Sequence, residues 1–546
     1  MLSGWKAFSQ NSLSGKITGK ETKETLTGAN IYFPDLKKGG TTDKDGFYKI
    51  TDLPTGKFLV EVRYIGYSIQ VLKIEISGET KMDFELEESH KELNEVVVTG
   101  VSAATEKAIN PIQTITINKV SLNQNSSTNI IDAISNKPGI SQITTGAGIS
   151  KPVIRGLGFN RVVVLQNNMR QEGQQWGDEH GIEIDEFSID RVEIIKGPGS
   201  LIYGSDAMAG VINFLPPNPI ELGKINANFM TSYHSNNNQL GYSLQNAGNI
   251  KGVHWLIQGT RKQAGNYANA YDGKVYNSGF NETNLNGSVG IAKKWGYSHL
   301  NFSTFNQNLG LVEGERDSLG NFIKPIIVSD SLLEEQTVTN ADLSGYKIGI
   351  PRQSINHHRI SSTSKFILGK SRLAVTLGFQ QNHRKEFEYH QETVDNKTTV
   401  EERNSLYFLL NTFNYDFTYH LPELSGWETS VGVNGFQQSN TNKGEEFLIP
   451  EYSLFDAGIF AVTRKSFDKL HLSGGLRYNT RSINTTELLL NAEGEQTTAQ
   501  DTTAETKFSS FKNNFSAIAS STGASYQFKE KVIGKINVSN GFRAPN

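Results

Sequence analysis

Residues 153–214 decide the fold and read VIRGLGFNRVVVLQNNMRQEGQQWGDEHGIEIDEFSIDRVEIIKGPGSLIYGSDAMAGVINF. Short β-branched runs at 162–165, 192–195 and 211–214 alternate with glycine-dense turns at 155–158 and 196–199. This alternation is typical of a small mixed sheet with tight connections. One long polar excursion, 166–186, interrupts it and holds the densest group of potential ligand-contacting side chains in the chain. We therefore expect a small domain that carries a binding loop.

Length and composition limit the classes of protein that this chain can belong to. With 546 residues it exceeds one ordinary globular core, so two or more domains are expected. Its 53 Lys and Arg nearly balance 56 Asp and Glu, which predicts no nucleic-acid partner. The absence of cysteine excludes disulfides and thiolate metal sites. No apolar run approaches the roughly 18 residues of a membrane helix. Strands of a membrane barrel need only alternate over about ten residues, so a barrel stays possible.

The regions before and after the opening stretch have different sequence patterns. Residues 13–88 form about seven short runs separated by turn sequences such as 43–46 and 54–56, a pattern that predicts a small β-sandwich. Residues 129–136 place Ile and Ala on one helical face, and Pro138 stops that helix. From 220 onward about thirteen segments alternate apolar with polar side chains and carry aromatic residues at their ends. This region predicts an antiparallel transmembrane β-barrel, with its longest outer loop at 313–358.

A polar linker separates the sandwich from the next domain and leads into the sequence LNEVVVTG at 93–100. A β-rich hexamer between polar residues is suited to join another protein's sheet as an added strand, because its main chain supplies the hydrogen bonds. The alternative is an ordinary strand of the following domain. The residues expected to bind a partner in this way are Leu93, Asn94, Glu95, Val96, Val97 and Val98.

The opening stretch resembles the second half of the plug domain of a TonB-dependent outer-membrane receptor. An arginine-glycine turn, an apolar strand and the segment IIKGPGSLIYGSDAMAGVINF follow one another in that family's order. The sandwich resembles the carboxypeptidase regulatory-like domain that often precedes such a plug. The resemblance implies a fold dominated by β-structure, with five regions: 1–12 a remnant of a signal peptide or leader, 13–88 the sandwich, 93–100 the TonB box, 101–219 a mixed α+β plug and 220–546 a barrel. Since plugged receptors have about 22 strands, thirteen imply a barrel truncated at its C-terminal side, and thus a fragment.

The function implied by the resemblance is active import of a scarce solute through the outer membrane of a Gram-negative bacterium, and not catalysis. The sandwich and plug would face the periplasm, and lipid would surround the barrel. TonB, with its inner-membrane energising complex, would be the partner that pairs with the box. No resident cofactor is expected, because a metal or metal chelate would be cargo.

The polar loop supplies the candidate ligand-binding residues: Gln174, Gln175, Trp176, Asp178, Glu179 and His180. Asp178, Glu179 and His180 offer carboxylate oxygens and one imidazole, a set that suits a divalent metal or a metal chelate of the siderophore, heme or cobalamin type. Trp176 with the two glutamines could instead stack on and hydrogen-bond an organic ligand. A solvated loop that only fills the lumen is the third interpretation.

Three rival functions are considered, one within the same family and two from another class. Family members that import oligosaccharides or peptides with a surface lipoprotein carry a VDGVP-like turn, whereas residues 164–169 here read VLQNNM. A carboxypeptidase-associated enzyme lacks support, because neither a His-Glu-x-x-His nor a Gly-x-Ser-x-Gly motif occurs. A surface adhesin built of β-domains leaves the plug-like domain unexplained. Import of a metal ion or metal chelate is therefore the favoured prediction.

Overall fold

The computed structural model describes residues 11–88, 96–99, 104–125, 127–173, 175–197, 201–394, 397–529 and 532–544. Within these ranges the chain forms a β-sandwich, then a mixed domain, then a large antiparallel sheet, as the sequence predicts. No helix among the described residues has both the length and the apolar character needed to cross a membrane.

The N-terminal sandwich has eight strands, where the sequence suggested about seven. They are β1 (Ser12–Gly19), β2 (Asn30–Phe33), β3 (Lys38–Thr41), β4 (Phe47–Ile50), β5 (Gly56–Arg63), β6 (Gln70–Ile76), β7 (Glu79–Lys81) and β8 (Phe84–Leu86). One sheet joins β4, β1, β7 and β8, and the other has the order β3-β2-β5-β6. The alternating side chains of Phe58, Val60 and Val62 on β5 enter the core between the sheets. The period-two pattern thus decides which face is buried.

The plug follows with nine strands and two short helices. They are β9 (Val96–Val97), β10 (Thr105–Glu106), β11 (Thr114–Asn118), α1 (Lys119–Gln124), α2 (Ile130–Ser135), β12 (Ile140–Gly146), β13 (Ile149–Ile154), β14 (Val162–Gln166), β15 (Met169–Arg170), β16 (Arg191–Lys196) and β17 (Gly210–Leu215). The central sheet has the order β11-β16-β17-β14-β15 and is mixed, because β14 pairs parallel with β17. The three β-branched runs of the opening stretch are its three inner strands.

Helix α2 covers one face of this sheet, close to where the sequence places it. The Asn129 side chain accepts hydrogen bonds from the backbone N–H groups of Ile131 and Asp132, so it caps the helix. Its apolar face joins Ile154, Val162 and other sheet residues in one buried cluster. The plug therefore has a core of its own.

The remaining chain contributes twenty strands and one helix. They are β18 (Ile225–His234), β19 (Gln239–Ile250), β20 (Val253–Ala264), β21 (Ala268–Asn269), β22 (Gly273–Lys274), β23 (Phe280–Lys293), β24 (Gly296–Gly310), β25 (Ile323–Ser329), β26 (Leu332–Thr337), α3 (Asn340–Ser344), β27 (Arg352–Leu368), β28 (Ser371–Val394), β29 (Lys397–His420), β30 (Trp427–Asn442), β31 (Tyr452–Phe467), β32 (Leu470–Thr485), β33 (Leu488–Leu490), β34 (Gln496–Thr497), β35 (Glu505–Phe508), β36 (Phe511–Lys529) and β37 (Val532–Asn540). Thirteen of them form one antiparallel sheet in chain order, from β18 to β37, and match the thirteen predicted segments.

This sheet wraps the plug as the wall of a barrel. On β20 the Ile257 side chain is exposed on the outer face, whereas Gln258 and Thr260 are buried on the inner face. Strands far apart in the wall reach the same plug: Lys262 of β20 binds Glu186, and Arg477 of β32 donates to the carbonyl of Ile202. The apolar outside and polar inside are the arrangement of an outer-membrane barrel.

The connections at the two ends of the wall differ in length. A two-residue turn at Gly369 and Lys370 joins β27 to β28, whereas 311–351 connects β24 to β27 and contains a β25–β26 hairpin and α3. The predicted loop boundary at 358 is wrong, because β27 already begins at Arg352. Pairing with β24 and β28 extends the strand into residues that look like loop in the sequence.

The sandwich docks at the end with the short turns. Asp35, which is buried, accepts from Lys365 Nζ at 2.8 Å and from Arg372 Nη1 at 3.1 Å. Lys73 binds Glu423 at 3.1 Å and Glu428 at 2.6 Å. Between sandwich, plug and wall lies a cavity of about 840 Å³. The candidate ligand loop lies at the other end of the plug.

Candidate functional site

The polar loop leaves the plug sheet after β15 and returns to it through a short 3-10 turn at Glu186–Ser188. Its inner part is fixed by Gln171, whose Nε2 donates to Glu183 Oε2 at 3.2 Å. Lys151 of β13 donates to the carbonyls of Trp176 and Gly177, which holds the outer part. The loop is thus anchored to the plug at two places along its length.

His180 is the centre of the candidate site. Its side chain is fully buried, with Nε2 3.7 Å from Glu179 Oε1 and 3.5 Å from Glu386 Oε1 of β28. One ligand atom from each of these three residues can be chosen so that all lie within 4.8 Å of one another. Neither ring nitrogen of His180 has a hydrogen-bond partner among the described residues. We call this group the Glu179–His180–Glu386 cluster.

Aromatic rings close the cluster on one side. The Trp176 ring meets the His180 ring edge-on, with centroids 6.3 Å apart, and Phe408 of β29 lies 6.0 Å from the same imidazole. Trp176 and Phe408 also contact each other, with centroids 5.1 Å apart. Such a wall excludes water, so an orphaned imidazole nitrogen there keeps its full desolvation penalty.

Electrostatics keep the imidazole neutral. Burial first, and then the positive charge of Arg384, hold the pKa of His180 well below its ordinary value. Burial, followed by the same arginine, lowers the pKa of Lys151 to about 7. A neutral imidazole offers a lone pair, which a metal ion can accept in place of a proton.

The geometry of the cluster suits a divalent transition-metal ion. Metal–nitrogen and metal–oxygen bonds of about 2.0–2.2 Å place tetrahedral ligand atoms about 3.4 Å apart. The observed 3.5 and 3.7 Å between His180 Nε2 and the two carboxylates are close to that spacing. One nitrogen and two carboxylates form a mixed donor set that zinc, iron or copper accept.

Glu183 fixes the floor below the cluster. It is fully buried and accepts from Arg384, from His357 and from Asn382 Nδ2 at 2.6 Å. Burial alone would raise the pKa of Glu183, but Arg384 and these donors hold it below its ordinary value. Because Arg384 forms an ion pair with Glu183, its guanidinium is held by the plug below the cluster.

The sequence-predicted ligand residues have different positions. Glu179 and His180 belong to the cluster, and Trp176 forms part of its wall. Asp178 is exposed and outside the cluster, and Gln175 Oε1 accepts from the Gly173 backbone N–H at 2.9 Å. Gln174 lies outside the described residues.

Sequence reasoning missed Glu386. It is distant in sequence from the loop, and no spacing rule links the two. The predicted strand segment ended at Asn382, and only in the structure does β28 continue so that Glu386 is in step with Asn382 and Arg384.

The predicted box lies on the opposite side of the plug. Leu93, Asn94 and Glu95 are outside the described residues, whereas Val96 and Val97 are buried and pair with β10. The backbone N–H groups of Val98 and Thr99 donate to Glu193 Oε2 of β16 at 3.0 and 2.7 Å. The described part of this segment is therefore already bonded to the plug.

Comparison with known proteins identifies both N-terminal regions. Residues 13–98 match the family model of the CarboxypepD_reg-like domain, and residues 106–211 match that of the TonB-dependent Receptor Plug Domain. The iron-regulated outer membrane virulence protein of Vibrio cholerae serotype O1 is 33% identical over 127 residues, which cover 22% of this chain. That region spans only 19% of the relative's own length.

Solved structures share about four fifths of the fold. The ferric-catecholate import receptor Fiu from E. coli K12, in its open form, has a TM-score of 0.60 at 14% identity, with 81% of this chain and 71% of that chain covered. The copper transporter OprC has a TM-score of 0.61 at 14% identity, with 80% of this chain and 65% of that chain covered. At such identities the likeness establishes the fold.

The matched families comprise transport receptors of the outer membrane and not enzymes, which confirms the predicted class and location and removes the enzyme alternative. The CarboxypepD_reg-like match precedes the plug match along the chain, and the solved folds cover 80–81% of the chain. Residues 13–98 are therefore a CarboxypepD_reg-like domain and residues 106–211 a TonB-dependent receptor plug domain, within a fold shared with import receptors of known structure.

Proposed function

We propose that this receptor imports a metal ion or a metal chelate, and that Glu179, His180 and Glu386 contact the metal. The observation that carries the proposal is the fully buried imidazole of His180, whose two nitrogens have no hydrogen-bond partner among the described residues. Two carboxylates face that imidazole. If the loop only filled the lumen, a hydrogen bond to this buried imidazole would make the fold more stable, so its absence calls for another explanation. Relatives named for iron, ferric catecholate and copper agree with the proposal at the level of solute class.

The energy for import would come from TonB and its inner-membrane energising complex, through the segment 93–98. Val96 and Val97 are buried and bonded in this structure, so the segment must detach before it can join a strand of TonB. A site that draws Glu386 of the wall toward the plug loop offers a way for the bound solute to shift the plug. A surface lipoprotein partner stays a prediction.

The test is metal binding by the receptor purified from outer membranes in detergent, measured by calorimetry with zinc, copper and ferrous salts. His180→Ala and Glu386→Gln should each weaken binding at least about tenfold, because each removes one ligand. Asp178→Asn should change the affinity by less than about twofold, since Asp178 lies outside the cluster.

A matched histidine control is His358→Ala, because His358 is exposed on the face of β27 opposite the buried His357. It should bind as the unchanged receptor does. Equal metal affinity in the His180→Ala and His358→Ala variants would show that the polar loop has only a structural role.

A further inference from the structure

Resting on the proposed function, we infer that the solute reaches the cluster as a free or labile divalent cation and not as an anionic, fully coordinated chelate. Two independent features of the site carry this inference. One is the sign of the charge above the cluster, and the other is the coordination position that His180 requires.

The mouth above the cluster is lined with carboxylates. Glu388 follows Glu386 by two residues on β28, so both point inward. Glu388 also lies within reach of the negative charges of Glu446 and Glu313, and Glu313 is repelled by Glu315. These side chains come from β28 and from the outer connections 311–351 and 443–451. Three separate segments therefore bring the same sign of charge to one opening.

The arginines around this mouth are already paired with carboxylates. Arg384 binds Glu183, Arg352 binds Glu402, and Arg403 binds three other carboxylates, which are Glu392, Glu401 and Glu445. Lys385 and Lys443 both lie over the Tyr407 ring, with Nζ 4.8 and 5.9 Å from its centroid.

The carboxylates around the cluster, in contrast, have no basic ion-pair partner among the described residues. Within the described part of the chain, no Lys or Arg forms an ion pair with the five glutamates of the mouth and cluster, which are Glu179, Glu313, Glu386, Glu388 and Glu446. The net field at the opening is therefore negative. Charges of one sign at the approach to a site concentrate the opposite ion and can raise its association rate by about 10- to 1000-fold.

The cluster itself selects against a saturated complex. His180 is fully buried behind Trp176 and Phe408, and its Nε2 is 3.5 Å from the Glu386 carboxylate. Only an ion, or a complex that gives up ligands, has an open position for that nitrogen between the two carboxylates. A hexadentate ferric chelate has no such position, and its negative charge would meet the same glutamates.

The test measures association of two probes with the full-length receptor in detergent, zinc chloride and a ferric tris-catecholate. Glu388→Gln combined with Glu446→Gln lies outside the cluster and should slow zinc association about tenfold at low salt. The difference should vanish near 0.5 M NaCl, where the Debye length is only about 4 Å. Glu75→Gln with Glu79→Gln, on the exposed sandwich surface, changes the net charge equally and should leave the rate unchanged.

The outcomes separate the two proposals. Zinc binding that depends on His180 and on the mouth glutamates, without binding of the catecholate, supports the inference. Binding of the catecholate that His180→Ala abolishes would overturn the inference and leave metal-chelate import standing. A mouth variant that binds zinc as fast as the unchanged receptor at low salt would overturn the steering role. Binding of neither probe would overturn both proposals.

Discussion

Single residues in the opening stretch hold the plug in shape. Gly210, at the start of β17, has φ +146°, and a Cβ there would lie 2.0 Å from the Ile195 carbonyl oxygen. That carbonyl belongs to the neighbouring strand β16, which pairs with β17. No side chain larger than hydrogen fits without separating the two strands. The many glycines of this stretch are thus needed for close contacts between strands as well as for turns.

We expect Gly210→Ala to destabilise the plug by at least about 1–3 kcal/mol, because it adds backbone strain to a clash with main-chain atoms. The yield of folded receptor should fall, and protease should cleave the plug more readily. Gly273→Ala is the matched control, since Gly273 also has positive φ, +67°, but nothing lies within 4 Å of an added Cβ. Equal losses in the two variants would mean that dihedral strain alone decides.

At the scale of elements, buried polar contacts join the plug to its neighbours. The box segment is joined through Glu193, and the 3-10 turn at Glu186–Ser188 is joined to the wall through Lys262. Both contacts use charged acceptors, whose hydrogen bonds are about twice as strong as neutral ones. Each is strong enough to hold its segment in place.

We expect Glu193→Ala to free the segment 96–99, because two backbone N–H groups lose their shared carboxylate. The affinity of the periplasmic domain of TonB for the receptor should rise at least about tenfold, as measured by calorimetry. Glu193→Gln keeps an acceptor oxygen and should show a smaller rise. An unchanged affinity, with the melting temperature also unchanged, would show that this carboxylate does not hold the segment.

A pH dependence is expected at Asp185, which precedes the turn. Burial, followed by the neighbouring Glu186, raises the pKa of Asp185 to about 7. Lys262 and Glu282 of the wall face the same carboxyl. Because the folded pKa lies above the unfolded value of about 3.9, the folded protein binds more protons between about pH 4 and 7. This contribution to stability is therefore full below about pH 4, falls as the pH rises to about 7 and then stays level.

Asp185→Asn should remove that slope, which is on the order of a few kcal/mol. Melting temperatures of the receptor in detergent at pH 5 and pH 8 would measure it, as the difference between variant and unchanged receptor. Asp190→Asn, which lies just after the turn and is partly exposed, should leave the dependence of the melting temperature on pH unchanged. Parallel profiles for the Asp185→Asn variant and the unchanged receptor would exclude this carboxyl as the source.

At the scale of the whole molecule, the sandwich closes the periplasmic end of the wall. Asp35 reaches Lys365 and Arg372 across a buried contact, whereas the Lys73 contact is exposed. The cavity of about 840 Å³ behind the sandwich is lined by Val96 and Val98 of the box segment. Under the proposed function, a solute that leaves the plug, or a TonB that approaches it, would enter this space, so the position of the sandwich would affect both.

We expect Asp35→Ala to loosen the sandwich far more than Lys73→Ala. Removing one partner of a buried ion pair costs about 3–5 kcal/mol, because the remaining charges stay desolvated, whereas an exposed pair contributes about 0–1 kcal/mol. Hydrogen exchange across the sandwich–wall contact should rise in the first variant and barely change in the second. Equal exchange in both would show that the contact does not depend on the buried pair.

Much of this architecture is readable in the sequence. The period-two alternation predicts the thirteen wall strands, since an apolar outer face and a polar inner face leave a local signature in each strand. Asn129 and the Ile-rich face that follows predict α2, because capping and helical periodicity are local too. The residue types of the cluster loop were equally visible, which is why Glu179 and His180 were candidates.

The sequence by itself determined the class of each region, the order of the regions and the loop with metal-binding residue types. Only the tertiary structure decided that Glu386 completes the cluster while Asp178 stays exposed, and that the box segment is bonded to Glu193. The physical reason is that strand and helix patterns arise from neighbours in sequence. A coordination site and a docked segment depend on how the wall strands are registered against the plug, and no periodicity encodes that register across two hundred residues.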